Sequence, residues 1–188
     1  MTRWLPALAT LPALLLAGQA HAATYQAVAL DKSSIAFSYK QMGVAMDGKF
    51  RKFTPQLSFD PAKPEQAKAT IEIELASVDA GSADADQEVV GKPWFNTAAF
   101  PKASFVARQV KPTGPNQFEV TGALTLKGAT REVKFPLKLT PQGKQGVFTG
   151  GFTIRRADFA VGEGMWSKFD VVANDIQVNF QLTALESK

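Results

Sequence analysis

The sequence predicts an all-β domain, an antiparallel barrel of eight strands with one short helix covering an end. Three observations predict it. Apolar and polar residues alternate with period two through most of the chain. Gly, Pro, Asn and Asp recur at short intervals between the alternating runs, as turns require. Phenylalanine is the outlier of the composition, 14 residues against 2 tyrosines, and many of the rings share one parity, which suits a half-buried pleated face. Strands with one apolar face must bury it, either between two sheets or inside a closed barrel. Eight strands leave an interior that side chains fill or that holds one small ligand.

Taken in order, residues 1–22 read as a cleaved secretory leader and residues 23–188 as the barrel domain. Met1 to Arg3 is a short basic start, Trp4 to Ala17 is apolar, and Ala20-His21-Ala22 has the small-x-small form of a cleavage site. The apolar run is shorter than the roughly 20 residues that span a bilayer. No cysteine follows the cut, so lipid attachment there is excluded. Cleavage removes Arg3 and lowers the formal net charge of +4 by one; it also removes His21, the single histidine. The remaining domain then holds neither His nor Cys, so packing and not cross-linking must stabilise it.

Thr24 to Ala29 is a first short strand, stopped at Asp31-Lys32-Ser33. Ser34 to Met42 follows with Ile35, Phe37 and Tyr39 inward, and residues 43–48 read as a turn. Lys49 to Asp60 reads as one strand whose apolar parity changes between Phe50 and Phe53, which predicts a bulge near Arg51-Lys52. Asp60-Pro61 and Lys63-Pro64 close it. Ala69 to Leu75 points Ile71, Ile73 and Leu75 inward. Ser82 is placed as an N-cap for a helix over Ala83 to Val90, with Asp84 and Asp86 in its first turn and Gly91 and Pro93 stopping it. Its only strong hydrophobes are Val89 and Val90, so it is a cover and not a core element.

Lys102 to Val110 is a strand around Phe105, and Lys111 to Asn116 a turn. Phe118 to Leu139 is the clearest hairpin in the chain, with Phe118, Val120, Gly122, Leu124 and Leu126 inward before Lys127-Gly128. Val133, Phe135, Leu137 and Leu139 follow inward after it. Gly146 to Ile154 sets Phe148, Gly150, Phe152 and Ile154 on one parity; residues 155–166 are irregular; Phe169 to Leu185 ends the barrel with Ile176, Val178, Phe180 and Leu182 inward. Glycine at the inward positions Gly122 and Gly150 is expected to leave interior space.

The residue types limit the chemistry. A serine nucleophile needs a positioned base, and without His or Cys the domain offers only Ser-Lys or paired-carboxylate schemes. Its strand carboxylates alternate outward, so the reading is a protein that is not an enzyme. Zinc lacks its usual N and S ligands, and no catalytic cofactor is expected. The weak, evenly spread basic charge excludes nucleic acid as a partner and allows only modest attraction to an anionic membrane surface. Arg156 has two readings: a contact to an anionic or polar head group at a barrel mouth, or the more ordinary corner ion pair with Asp158. The inward rings likewise allow a solid core, the plainer reading, or a tunnel for an apolar chain. Burying ~10 methylene-sized groups yields roughly 8 kcal/mol gross, less an ordering cost of several kcal/mol. Burial alone can therefore hold a long tail.

Several segments together resemble the YceI-like family. They are Leu30-Asp31 with Ser34 to Phe37; Gly43-Val44 with Gly48, Phe50 and Phe53; Phe59-Asp60-Pro61; Trp94-Phe95 through Phe100-Pro101 and Phe105; Gly122 to Arg131; and Arg156-Ala157-Asp158-Phe159. The resemblance spans the whole domain and implies a periplasmic, lipocalin-like barrel of a Gram-negative bacterium, with a tunnel for an isoprenoid chain such as a quinone tail. It also implies a histidine near Lys32-Ser33-Ser34 that this chain lacks. On this reading the lipid-binding residues are Phe37, Tyr39, Phe50, Phe53, Ile73, Trp94, Phe95, Phe105, Leu124, Leu126, Phe135, Phe152, Ile154, Phe159, Met165 and Trp166, with Arg156 at the head group. Trp94, Met165 and Trp166 are placed at the mouth. The implied partners are the lipid and, transiently, the membrane surface, for a monomer or homodimer. Two rival readings stand beside it: an enzyme on a lipid-like substrate with a mouth carboxylate as base, and an envelope stress protein that binds a partner by its surface.

Overall fold

The computed structural model of the protein describes residues 24–187. The leader read over residues 1–22, and His21 with it, lies outside the described residues. Among the described residues ten strands, not eight, form one antiparallel sheet. They are β1 Thr24–Gln41, β2 Val44–Phe50, β3 Phe53–Ser58, β4 Lys68–Glu74, β5 Val78–Asp79, β6 Lys102–Gly114, β7 Gln117–Leu126, β8 Ala129–Gln142, β9 Gln145–Arg155 and β10 Asp175–Ser187. Their order across the sheet is β3-β4-β6-β7-β8-β9-β10-β1-β2-β5. The sheet curls until Tyr25, at the start of β1, meets Phe59, just past β3. There the two residues exchange backbone hydrogen bonds of 2.8 and 3.0 Å.

The two-residue β5, paired with β2 through Val78 and Asp79, is not among the expected strands, and other strand boundaries move where long-range partners intervene. The expected stop at Asp31-Lys32-Ser33 is a bulge within β1, because β10 supplies the missing hydrogen bonds. Thr183 donates its N–H to Ser33 Oγ at 3.0 Å and its hydroxyl to the Lys32 carbonyl at 2.9 Å. The expected turn over residues 43–48 contracts to Met42-Gly43, both at positive φ (49° and 80°), as a two-residue hairpin turn needs. Val44 onward is β2. The expected bulge at Arg51-Lys52 is a full break: β2 pairs with β1, whereas β3 pairs with β4. Ser77 fills the gap, accepting the Lys52 N–H on its hydroxyl and the Arg51 N–H on its carbonyl, each at 3.0 Å. Two further boundaries move: β6 runs on to Gly114, and β10 begins at Asp175 and not near Phe169.

The helix forms as expected. Helix α1 spans Ala83–Val89, and Ser82 Oγ accepts the Ala85 N–H at 3.2 Å. The central hairpin forms too, with Lys127-Gly128 at its turn.

Inward glycines do not leave space. A Cβ on Gly122 would strike the Phe105 ring and sit 2.7 Å from the Val106 carbonyl oxygen; on Gly150 it would sit 2.5 Å from Phe180. Each glycine is a seat for a neighbouring ring, which approaches bare backbone more closely than a side chain would allow. Tyr25, Phe148, Phe59 and Phe118 make a chain of edge-to-face contacts, with centroids 5.5, 5.2 and 5.0 Å apart in that order. Such pairs contribute about 0.5–1.5 kcal/mol each beyond their buried area. All four rings lie near strand ends at the start of β1, and they plug that end of the barrel.

Candidate functional site

Above the ring plug the barrel is hollow. A cavity of about 560 Å³ lies between the strands, within the ~300–1,000 Å³ typical of small-molecule sites. Its walls come from alternate positions of the strands, so period-two patterning made it apolar. Of the expected lipid-binding residues, Phe37, Tyr39, Phe50, Ile73, Trp94, Phe95, Phe105, Leu124, Leu126, Phe135, Phe152, Ile154 and Trp166 line it, as does Arg156.

Three expected residues do not. Phe53 opens β3 beyond the strand break, opposite Ile73, where it packs against the core and borders a second pocket with Lys49, Arg51 and Glu74. Phe159 is 2 % exposed and packs in the core under the loop that follows β9. Met165 is 85 % exposed and stands outside the mouth. The structure adds a deep end that the sequence reading did not include among the lipid-binding residues, Phe59, Phe148 and Leu182, and at the opposite end Leu75, whose N–H bonds to the Pro101 carbonyl. Phe148 and Leu182 carried the signal, since both sit on the inward parity of their strands.

The opposite end is closed by a lid of three pieces: α1, the Gly91–Phe100 turn region, and residues 156–172. Trp94 and Trp166 lie 5.4 Å apart there. Both indoles donate to Glu88 Oε1, at 3.2 and 2.9 Å. The side chain of Lys127, projecting from the central hairpin turn, donates to the Pro93 and Ala160 carbonyls and pairs with Glu163 at 2.7 Å. Tyr39 donates its hydroxyl to the Ala80 carbonyl at 3.1 Å. Burial, and then the Asp86 charge, raise the Tyr39 phenol above its usual range, so it stays neutral.

Arg156 holds the lid in a way neither sequence reading included. It is 2 % exposed and pairs with no carboxylate among the described residues, Asp158 included. Its N–H groups all point at backbone carbonyls: Ala173 from Nε, Val161 and Gly162 from Nη1, and Trp166, Lys168 and Val172 from Nη2. The guanidinium also lies 5.4 Å from the Trp94 ring and 5.0 Å from the Phe169 ring. Five donors in a planar fork suit a loop that wraps round them. Burial lowers the Arg156 pKa below its ordinary value. With every N–H committed, the group has none left for a ligand. Among the described residues no three His, Cys, Asp or Glu side chains gather as a metal would need.

A curled antiparallel sheet around an apolar cavity, plugged by aromatic rings below and covered by a short helix above, defines a lipocalin-like fold. The chain belongs to the YceI-like family: a YceI-like domain matches residues 25–184. It is 35% identical over 172 residues to a UPF0312 protein of Azotobacter vinelandii, covering 86% of this chain and 88% of that one. The crystal structure of Burkholderia cenocepacia BcnA superposes with a TM-score of 0.81 at 39% identity, over 84% of this chain and 99% of that chain. A polyisoprenoid binding domain from Saccharophagus degradans shares the fold, with a TM-score of 0.67 at 18% identity over 88% of this chain and 99% of that chain.

Proposed function

We propose that the protein carries an isoprenoid chain, a quinone tail or polyprenyl group, inside the cavity, and that it does so in the periplasm after removal of its leader. The observation that carries this reading is the distribution of polarity along the cavity walls. The deep end, at Phe59, Phe148 and Leu182, is hydrocarbon, whereas Gln41, Ser82, Asp84 and Glu88 gather at the lid end. An amphiphile therefore enters tail first. Its tail gains the burial energy, and its head stays where water and hydrogen bonds are available. The name of the Saccharophagus degradans domain, which shares the fold, agrees with an isoprenoid tail.

The test is native mass spectrometry of the protein gently isolated from the periplasmic fraction of its own cells. The expected result is a co-purifying prenyl mass, released unaltered on denaturation. A chain that emerges empty, or a protein found only in the cytosol, counts against the proposal. Turnover of the released lipid would point to the enzyme reading instead.

A further inference from the structure

We infer that the cavity selects isoprenoids with uncharged, hydrogen-bonding head groups and rejects those ending in diphosphate or carboxylate. This rests on the carrier reading above and specifies its ligand class.

Three observations lead to it. First, Gln41, Ser82, Asp84 and Glu88 line the lid end, so the head group must sit among them. Second, the charges they bring are carboxylates. Glu88 holds the two indoles through one oxygen and has no cationic partner among the described residues. Asp84 lies in the first turn of α1 and makes no ion pair among the described residues. Third, no lining cation is left to balance an anionic ligand. Among the described residues Arg156 is the only basic one in the cavity wall, and its donors are committed to backbone carbonyls. Lys40 and Lys168 are close along the chain but do not line the cavity; Lys40 lies on the outward parity of β1, between Tyr39 and Gln41. Lys127 is tied to Glu163.

Diphosphate sites supply Arg, Lys or converging N–H groups to offset charge. This mouth supplies carboxylates, an amide and a hydroxyl. An alcohol or a quinol donates to Asp84 and accepts from Gln41, and a quinone accepts from Gln41 and Ser82. A diphosphate meets like charge from carboxylates that stay open to solvent, so the repulsion is screened by salt.

The experiment compares geranylgeraniol with geranylgeranyl diphosphate, each below its micelle concentration, by titration against the tryptophan emission of the full chain. The alcohol is expected to bind about tenfold or more tightly than the diphosphate. In Asp84→Asn the gap narrows several-fold because diphosphate binding improves, and raised salt narrows it in the wild type. Equal or tighter binding of the diphosphate overturns the inference while leaving the carrier reading intact. A gap indifferent to both Asp84→Asn and salt also overturns it, because desolvation and not the carboxylates would then set the preference. If neither molecule binds, the carrier reading fails and this inference with it.

Discussion

Trp94 and Trp166 share a single acceptor, the Oε1 atom of Glu88, and through it α1 is joined to the loop that follows β9. The two indoles touch only because residues 72 positions apart in sequence are folded onto one carboxylate. Trp94 is buried, so its N–H finds no water if that oxygen is removed. Glu88→Ala should cost about 1–3 kcal/mol from the unsatisfied donor and loosen the lid. Tryptophan emission should shift to the red, and bound lipid should leave faster. Unchanged emission and dissociation would show that the lid is held elsewhere.

Arg156→Met removes the donors from six carbonyls in the span 161–173 while keeping most of the side-chain volume. A loss of about 3 kcal/mol or more is expected in urea unfolding. Arg156→Lys should recover little of it, since three donors on a point charge cannot match a planar fork. If unfolding were unaltered and only lipid affinity fell, Arg156 would be a head-group contact after all.

Gly122→Ala places a methyl group against the Phe105 ring and 2.7 Å from the Val106 carbonyl oxygen. The ring can tilt, but the backbone oxygen is fixed by sheet pairing. Overpacking of this kind costs about 1–3 kcal/mol. Chemical denaturation should therefore show a lower midpoint at unchanged slope. A variant as stable as the wild type would mean that the ring does not rest on the glycine.

Phe152 separates hollow from solid. Its ring stacks on Phe135 at 5.1 Å and borders the cavity. In a filled core, Phe152→Trp would destabilise by about 1–3 kcal/mol. Around a cavity of this size the larger ring has room, so stability should hold while lipid affinity drops. Parallel thermal melts and binding titrations distinguish the two outcomes.

Asp79 sets an acid limit. Partial burial opposes its charge, but the 3.0 Å contact from Arg51, the Gly81 N–H and the Lys49 charge together hold its carboxyl below the usual range. A depressed folded pKa gives stability that is complete above the unfolded value, about 3.9, and lost as pH falls through the folded one. Asp79→Asn should remove that contribution, so the variant is less stable than the wild type at neutral pH and the gap closes as pH falls below the unfolded value of about 3.9. A constant difference across that range would assign the effect to packing.

Much of this protein was readable along the chain because period-two alternation is a local property. The hairpin around Lys127-Gly128, the inward parity of Phe105, Phe135, Phe152 and Ile154, and the Ser82 cap of α1 each depend on residues a few positions apart. The apolar wall of the cavity follows from that parity. Other features needed partners remote in sequence. Thr183 turns an expected stop at Ser33 into a bulge, merging two strands, and Ser77 turns an expected bulge at Arg51 into a break, dividing one; the two changes cancel in number, and the two-residue β5 paired with β2 is an added strand. Neighbouring residues suggested Asp158 as the partner of Arg156, whereas the fold brings six carbonyls around its guanidinium. The side-chain pattern therefore determined which faces are apolar. Only closure of the sheet and lid determined how much space those faces enclose, and which charges border its mouth.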